Sequence, residues 1–489
     1  MQSIMKTYRK VASFQSLSDF RAYLRAEDIS IELTDAVPPG GDSALARPIE
    51  VLGKRLGNRW AILPMEGWDC EDDGRPSELT ERRWLRFATS GAKLLYGTEA
   101  AAVTHEGRSN PQQLMCADHT ADALRTICEK MRRAHRNRFG ESEELCIGLQ
   151  LTHSGRFAHP NDRFVLESRT AYAHPLLDRK FGAGRIVSDR EVRELVGRFV
   201  HAAEIAQRAG FDFVDIKQAH GYLLHEFLSA VDRPGPYGGS FENRTRFYRE
   251  IVEGIRKACP GLGISSRVSL FDILPFQKGE DGVGYPMDWP KGTPYPYAFG
   301  GSGDGLTMDP DLTETAALLE MMRSYGVTFI CATIGSPYYN VHMQRPAYFP
   351  VADGYQMPEN PLYNVSRHLA AVRRIKQRCP WLKVVGSGYT CLQEFLPNAA
   401  EAAVASGHTD WVGIGRMVLS YPDMPADLLA GKALDRCRIC RTFGDCTNAP
   451  RHGIVSGCYP LDHFYKERPE FAQLQACKKA AQGAGAAHG

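Results

Sequence analysis

The chain has 489 residues, 43% hydrophobic and 24% charged, with a net charge of +2, a composition that excludes disordered, fibrous and disulfide-stapled classes. The near-neutral balance gives no electrostatic footprint for nucleic acid or an anionic membrane. No run reaches the roughly 18 consecutive apolar residues of a spanning helix, and residues 1–6 do not lead into an apolar signal core, so a cytoplasmic, reducing setting is expected.

In chain order, residues 1–48 read as an N-terminal extension and residues 49–435 as one repeated pattern of helix, glycine and short β-rich run. Its clearest copy opens with Ser188-Asp189-Arg190-Glu191, a capping box, after which Val192, Leu195, Val196, Phe199, Val200, Ala203 and Ala206 recur at helical spacing up to Gly210. A strand is predicted over 211–216. Helices over 315–325, 365–378 and 399–406 are likewise followed by predicted strands at 327–332, 383–385 and 411–414. Alternation of this kind, with no early G-x-G-x-x-G, predicts a (β/α)8 TIM barrel followed by a cysteine-bearing segment. The long stretches 271–312 and 335–361 follow predicted strands, which places them at the C-terminal face of the barrel as lid or binding loops. Residues 436–468 read as the four-cysteine segment and 469–489 as a tail, frayed over the low-complexity stretch 480–487.

Chemistry concentrates after the strand that ends near Asp215. Lys217, His220 and Tyr222 put a cation, an imidazole and a phenol within six positions at the end of the barrel where catalysis occurs. Downstream, Tyr237-Gly238-Gly239-Ser240-Phe241-Glu242-Asn243-Arg244 supplies a glycine turn and a helix cap. Four of the 13 cysteines form the array Cys437-x2-Cys440-x5-Cys446-x11-Cys458. In a reducing compartment that spacing reads as a thiolate metal site, for zinc or an iron–sulfur cluster.

The segments A-H-G-Y-L-L and Y-G-G-S-x-E-N-R resemble the Old Yellow Enzyme family of flavin oxidoreductases. So do Leu63-Pro64-Met65 after the first strand, Glu99-Ala100 at the second, Gln150-Leu151-Thr152-His153-Ser154-Gly155-Arg156 at the third, and Val385-Gly386-Ser387-Gly388 and Gly413-Ile414-Gly415-Arg416 at the last two. The resemblance spans roughly residues 49–435. It implies FMN held noncovalently by Pro64, Met65, Glu66, Ala100, Gln150, Arg267, Ser387, Gly388, Gly415 and Arg416. Glycines at 388 and 415 let backbone N–H groups approach a phosphate, Gln150 pairs with the flavin amide edge, and Arg267 offsets negative charge there. It further implies that His220 grips a substrate carbonyl and that Tyr222 protonates the carbon opposite the hydride.

Two positions depart from the family pattern. Lys217 stands where a second gripping histidine is usual; it suits an anionic or enolising oxygen, or serves as a structural ion-pairing residue. Glu66 replaces a small hydroxyl or thiol beside the flavin. The cysteine array resembles that of the iron–sulfur branch with 2,4-dienoyl-CoA reductase and trimethylamine dehydrogenase, which implies a [4Fe-4S] cluster on Cys437, Cys440, Cys446 and Cys458. The nucleotide-binding domains that follow in that branch do not fit into the residues after Cys458. The function expected is an FMN- and cluster-dependent oxidoreductase moving hydride between flavin N5 and an activated, α,β-unsaturated small molecule. NAD(P)H is the candidate electron donor, an electron-transfer protein a candidate partner, and a homo-oligomer a candidate state. An amine or C–H dehydrogenase is the alternative within the class; a zinc-bearing lyase or hydrolase without flavin, using Lys217, is the alternative outside it.

Overall fold

Each predicted helix–strand unit folds locally, and closing the units on one another makes a barrel. The computed structural model describes residues 8–349, 351 and 354–486; residues 1–6, read above for a leader, and Ala487 lie outside the described residues. Eight parallel strands pair in chain order: β1 (Trp60–Ile62), β2 (Leu94–Leu95), β3 (Cys146–Thr152), β4 (Phe213–Ile216), β5 (Gly263–Ser269), β6 (Phe329–Thr333), β7 (Lys383–Gly386) and β8 (Trp411–Ile414). Val412 of β8 then pairs with Trp60 of β1, which closes the ring. A barrel helix follows each strand, with shorter helices in some of the loops: α1 (Glu78–Ala88), α2 (Ala121–Phe139), α3 (Asp189–Arg208), α4 (Phe241–Ala258), α5 (Thr313–Ser324), α6 (Pro361–Arg378), α7 (Leu396–Ala405) and the short α8 (Arg416–Ser420). The architecture is a (β/α)8 barrel. At α3 the Ser188 hydroxyl accepts from Glu191 N while the Glu191 carboxylate accepts from Ser188 N.

The interior is filled by large side chains set against small ones. Tyr96, Phe213, Phe329 and Trp411 pack in a chain with ring centroids 5.3–5.5 Å apart. Gly148 on β3 makes room for them, since a Cβ there would stand 2.3 Å from Phe213 Cζ. An antiparallel hairpin of Ile49–Val51 and Lys54–Leu56 closes the N-terminal end, with Val51 and Leu56 in the same apolar cluster.

The segment before the barrel packs onto it. Its helix Leu17–Ala26 lays Phe20 in a stack on Phe395, with centroids 4.4 Å apart. Further on, buried Glu401 of α7 accepts from Ser43 Oγ at 2.6 Å and Ala44 N at 2.7 Å. The long connections behave differently from each other. The 271–312 stretch forms a hairpin of Phe276–Lys278 and Gly284–Pro286 and an apolar cluster around Leu274, Met287 and Tyr295. The 335–361 stretch carries a short helix, Val341–Gln344, and faces the main cavity. The tail forms the helix Glu470–Ala486, whose Leu474 and Phe471 pack on Tyr459 and Tyr465. Alanine-rich sequence favours helix once one apolar edge finds a partner. Among the described residues no helix is long and apolar enough to cross a membrane.

Candidate active site

The loops that leave the C-terminal ends of the strands surround a cavity of about 240 Å³. Pro64, Met65 and Glu66 enter it after β1, Gln150 from β3, Arg267 from β5, Ser387 and Gly388 after β7, and Gly415 and Arg416 after β8. Lys217, His220 and Tyr222 come from the turn after β4, and Cys446 reaches the same cavity from the C-terminal segment. Ala100 does not line it. The chain breaks from β2 at residues 96–99 and resumes at Ala100–Ala102, where Ala100 is fully buried against β3 and its carbonyl accepts from Gln113 Nε2. Cys437, Cys440 and Cys458 also lie outside the lining; Cys437 is exposed and Cys458 buried.

Local chemistry fixes each group. Gln150 and Asp215 stand opposite each other on β3 and β4, and Gln150 Nε2 donates to Asp215 Oδ2 at 2.5 Å. Burial without full compensation pushes the Asp215 carboxyl up to about 6. Gly388, at φ +94°, lies so close to His368 that a Cβ would approach its ring carbons to 2.9 Å. Arg416 donates through Nη2 to Pro346 O at 2.8 Å, while its buried Nη1 has no partner among the described residues. Arg267 Nε and Thr333 Oγ1, in residues lining the same cavity, are buried without partners among the described residues. Such atoms are costly to bury unless a ligand meets them.

The turn after β4 is held in an unusual shape. His220 sits at φ +68°, a region that a non-glycine residue adopts at a cost. Three side chains from three elements pin it. His220 N donates to Ser269 Oγ at 3.2 Å, Ser336 Oγ donates to His220 O at 2.8 Å, and Gly221 N donates to His225 Nδ1 at 2.9 Å. Burial and the nearby Arg267 and Lys217 cations hold the His220 imidazole well below its ordinary pKa, so it is neutral, and Nε2 accepts from Gln344 Nε2 at 3.0 Å. Lys217 Nζ lies 3.4 Å from Glu66 Oε1 and 3.7 Å from the centroid of the Tyr222 ring. Burial lowers the Lys217 pKa and the Glu66 carboxylate opposes that shift. The Tyr222 hydroxyl is 3.0 Å from that of Tyr338, and burial next to Glu66 raises its pKa well above the usual phenol value.

A profile of the NADH:flavin oxidoreductase / NADH oxidase family matches residues 44–285. An NADPH dehydrogenase of Bacillus pumilus is 31% identical over 248 residues, which cover 50% of this chain and 68% of that protein. The chain belongs to this family. An NADPH dehydrogenase of Bacillus subtilis is 32% identical over 241 residues, covering 48% of this chain and 66% of the relative, so the match spans just under two thirds of its length. Among solved structures, a 2-naphthoyl-CoA reductase in complex with 2-naphthoyl-CoA superposes with a TM-score of 0.64 at 17% identity, covering 88% of this chain and 58% of that one. At that identity the likeness speaks for the barrel and its additions.

For a NADH:flavin oxidoreductase family barrel, the site contains side chains that the sequence did not signal. Tyr338, Gln344 and Arg345 come from the loop after β6, and Trp68 from the loop after β1. None lies in a periodic segment or a motif; a Tyr-Tyr pair in a long loop after a barrel strand was the only available hint.

Proposed function

We propose that the chain is an FMN-dependent oxidoreductase that reduces an activated, α,β-unsaturated small molecule at the expense of NAD(P)H, with a [4Fe-4S] cluster on Cys437, Cys440, Cys446 and Cys458. The observation that carries the flavin reading is the set of buried, partnerless donors, Arg267 Nε and Arg416 Nη1, around one cavity that also holds Gly388, Gly415 and Gln150. These residues fit FMN. Arg416 with the backbone of Ser387, Gly388 and Gly415 would hold its phosphate, and Gln150 and Arg267 would face the ring. When bound, FMN supplies the hydride acceptor and donor of the reaction.

The chain's own residues do the rest. His220, neutral and preset by its three-way pinned turn, and Lys217 would bind the substrate oxygen as it gains negative charge. Tyr222 would hold the proton destined for carbon; its raised pKa keeps it protonated at neutral pH. The Lys217 ammonium above its ring would offset the negative charge that develops on the phenol oxygen as the proton leaves. Glu66 keeps Lys217 paired until substrate arrives. Lysine and arginine cations in the cavity disfavour an ammonium substrate, which argues against amine oxidation. A flavin-free lyase would leave Arg267 and Arg416 without an anion.

The donor set at the cysteine segment fits a cluster. Cys440 and Cys446 are near enough to Cys458 for their charges to raise its pKa. Among the described residues no three of the four sulfurs lie within 4.8 Å of one another. The described group that does converge so closely, Asp69, Cys70 and Glu99, is neutralised by Arg83, which bonds both carboxylates.

Anaerobic purification followed by acid precipitation should release FMN, and iron and sulfide should be found in equal amounts. NADPH should bleach the flavin band and 2-cyclohexenone restore it. A colourless folded protein that takes up no added FMN would overturn the flavin reading, and one zinc without sulfide would overturn the cluster.

A further inference from the structure

Tyr222 is almost fully buried and has to be resupplied with a proton after every turnover of the proposed reaction. Four groups face it. Lys217 Nζ covers the ring, the Glu66 carboxylate lies close enough to raise its pKa, and the hydroxyls of Ser109 and Tyr338 reach its oxygen. Ser109 leads nowhere. It is buried, its Oγ donates to Gln113 Oε1 at 3.0 Å and accepts from Trp68 Nε1 at 3.0 Å, and Gln113 is itself fully buried. Glu66 is paired with Lys217. Tyr338 is only half-buried and its hydroxyl lies 3.0 Å from that of Tyr222, which leaves it as the group through which a proton could enter.

Its position is fixed independently of Tyr222. The Tyr338 ring stacks on buried Phe157 with centroids 3.9 Å apart and planes 7° from parallel. Its N–H donates to Ser336 Oγ, the same hydroxyl that donates to His220 O. The loop after β6 therefore places Tyr338 and the His220 turn together.

We propose that Tyr338 is a proton relay, passing a solvent proton to Tyr222 in the same step in which Tyr222 protonates the substrate carbon. The inference rests on the reading of Tyr222 as proton donor. With two electrons from NAD(P)H delivered as hydride to one carbon of the double bond, the other carbon carries the electron pair as an enolate. There a C–H bond forms as the Tyr222 O–H bond breaks. A new O–H bond forms on Tyr222 as that of Tyr338 breaks, and Tyr338 takes its proton from water, whose hydroxide is neutralised by bulk buffer. Moving both protons together avoids a bare phenolate at a buried site, which would be costly.

Tyr338→Phe removes the hydroxyl and retains the ring that stacks on Phe157. In stopped-flow reoxidation of the NADPH-reduced holoenzyme by 2-cyclohexenone, the variant should be about 10-fold slow, a part of the roughly 10²–10⁴ that a positioned acid supplies. Reduction by NADPH should be unchanged. The rate in H2O/D2O mixtures should curve with deuterium fraction in the wild type, as two protons in flight require, and become linear in Tyr338→Phe. A readout without turnover is the ¹³Cζ signal of Tyr222 in labelled protein in equal H2O and D2O. It should be averaged by fast hydroxyl exchange in the wild type and split into protonated and deuterated lines in the variant. Wild-type reoxidation by Tyr338→Phe, or a curve that persists, overturns the relay. Tyr222→Phe separates the two readings. If it is slow while Tyr338→Phe is not, Tyr222 remains the donor and the relay fails; if Tyr222→Phe is itself unaffected, both fall.

Discussion

Gln150 shows how one residue can be recognised from sequence while the group that orients it is hidden. Its side-chain amide can face the cavity either way, and the choice is made by Asp215 across the strand pair, which accepts from Nε2 and leaves Oε1 for a ligand. Asp215→Asn should force that amide to turn, and FMN should bind about 10-fold more weakly, the ~1.4 kcal/mol of one hydrogen bond. Fluorescence titration of the apoprotein measures it, and unchanged affinity would show that the amide is not set by Asp215. Stability should move the other way with a definite pH dependence. The folded pKa of Asp215 is raised to about 6 from 3.8, so the folded state binds the extra proton between those values and wild-type stability falls as pH rises through them. The advantage of Asp215→Asn should thus be absent near pH 4, grow towards pH 6 and level off above it, at no more than about 3 kcal/mol. Melting temperatures of both apoproteins across that range test the sign. The same distinction applies to Lys217 and Glu66. Each stood out in the sequence, but the strand and loop that pair them are 151 residues apart, and no local pattern encodes that distance.

At the scale of elements, helices and strands were legible where a cap, an apolar period and a glycine stop agreed. The predicted strand 411–414 is β8, and the capping box at Ser188 opens α3 as expected. Ends were less legible: α6 begins at Pro361 rather than 365, because Asn360 caps it and Pro361 fits a first turn. Ala100 stands outside the cavity lining because the chain, after leaving β2 at 96–99, resumes paired to β3, and a two-residue strand carries no periodicity that would foretell this. The N-terminal segment, unreadable from period alone, is joined to α7 through Glu401, whose carboxylate meets Ser43 Oγ and the N–H groups of Ala44 and Leu45. Glu401→Ala strands those buried donors and should cost about 3 kcal/mol. Chemical denaturation should show a lower midpoint with an unchanged slope if the segment unfolds with the barrel. A separate early transition would mean that it is an independent appendage.

For the molecule as a whole, the barrel was legible because its units repeat, whereas the union of the barrel with the cysteine segment was not, because it depends on contacts far apart in sequence. Arg82 and Arg86 of α1 both reach buried Asp462, and Arg163 donates to Gly453 O. These contacts fasten the segment to α1 and the loop after β3; Ile439 alone of its apolar side chains is fully buried in the main core, and Ala449, Ile454, Tyr459, Tyr465 and Leu474 form a small cluster of their own. A cluster held by four thiolates would supply the missing cohesion, because the free energy of binding a metal group is also free energy of folding for a segment with so little core. Removing it should therefore loosen the segment without unfolding the barrel. The flavin, which touches loops from almost every strand in the proposed site, should behave in the opposite way and stabilise the whole barrel, by about 2.7 kcal/mol when free FMN stands at 100 times its Kd. Two removals separate these roles. After oxidative chelation of iron, limited trypsin digestion should cut first at Arg436, Arg438, Arg441 or Arg451 and leave a folded barrel fragment that retains FMN absorbance. After removal of flavin alone, the same sites should stay protected while the melting temperature falls. Equal protection of the segment with and without iron would mean that the four cysteines do not organise it, and that its fastening to α1 suffices.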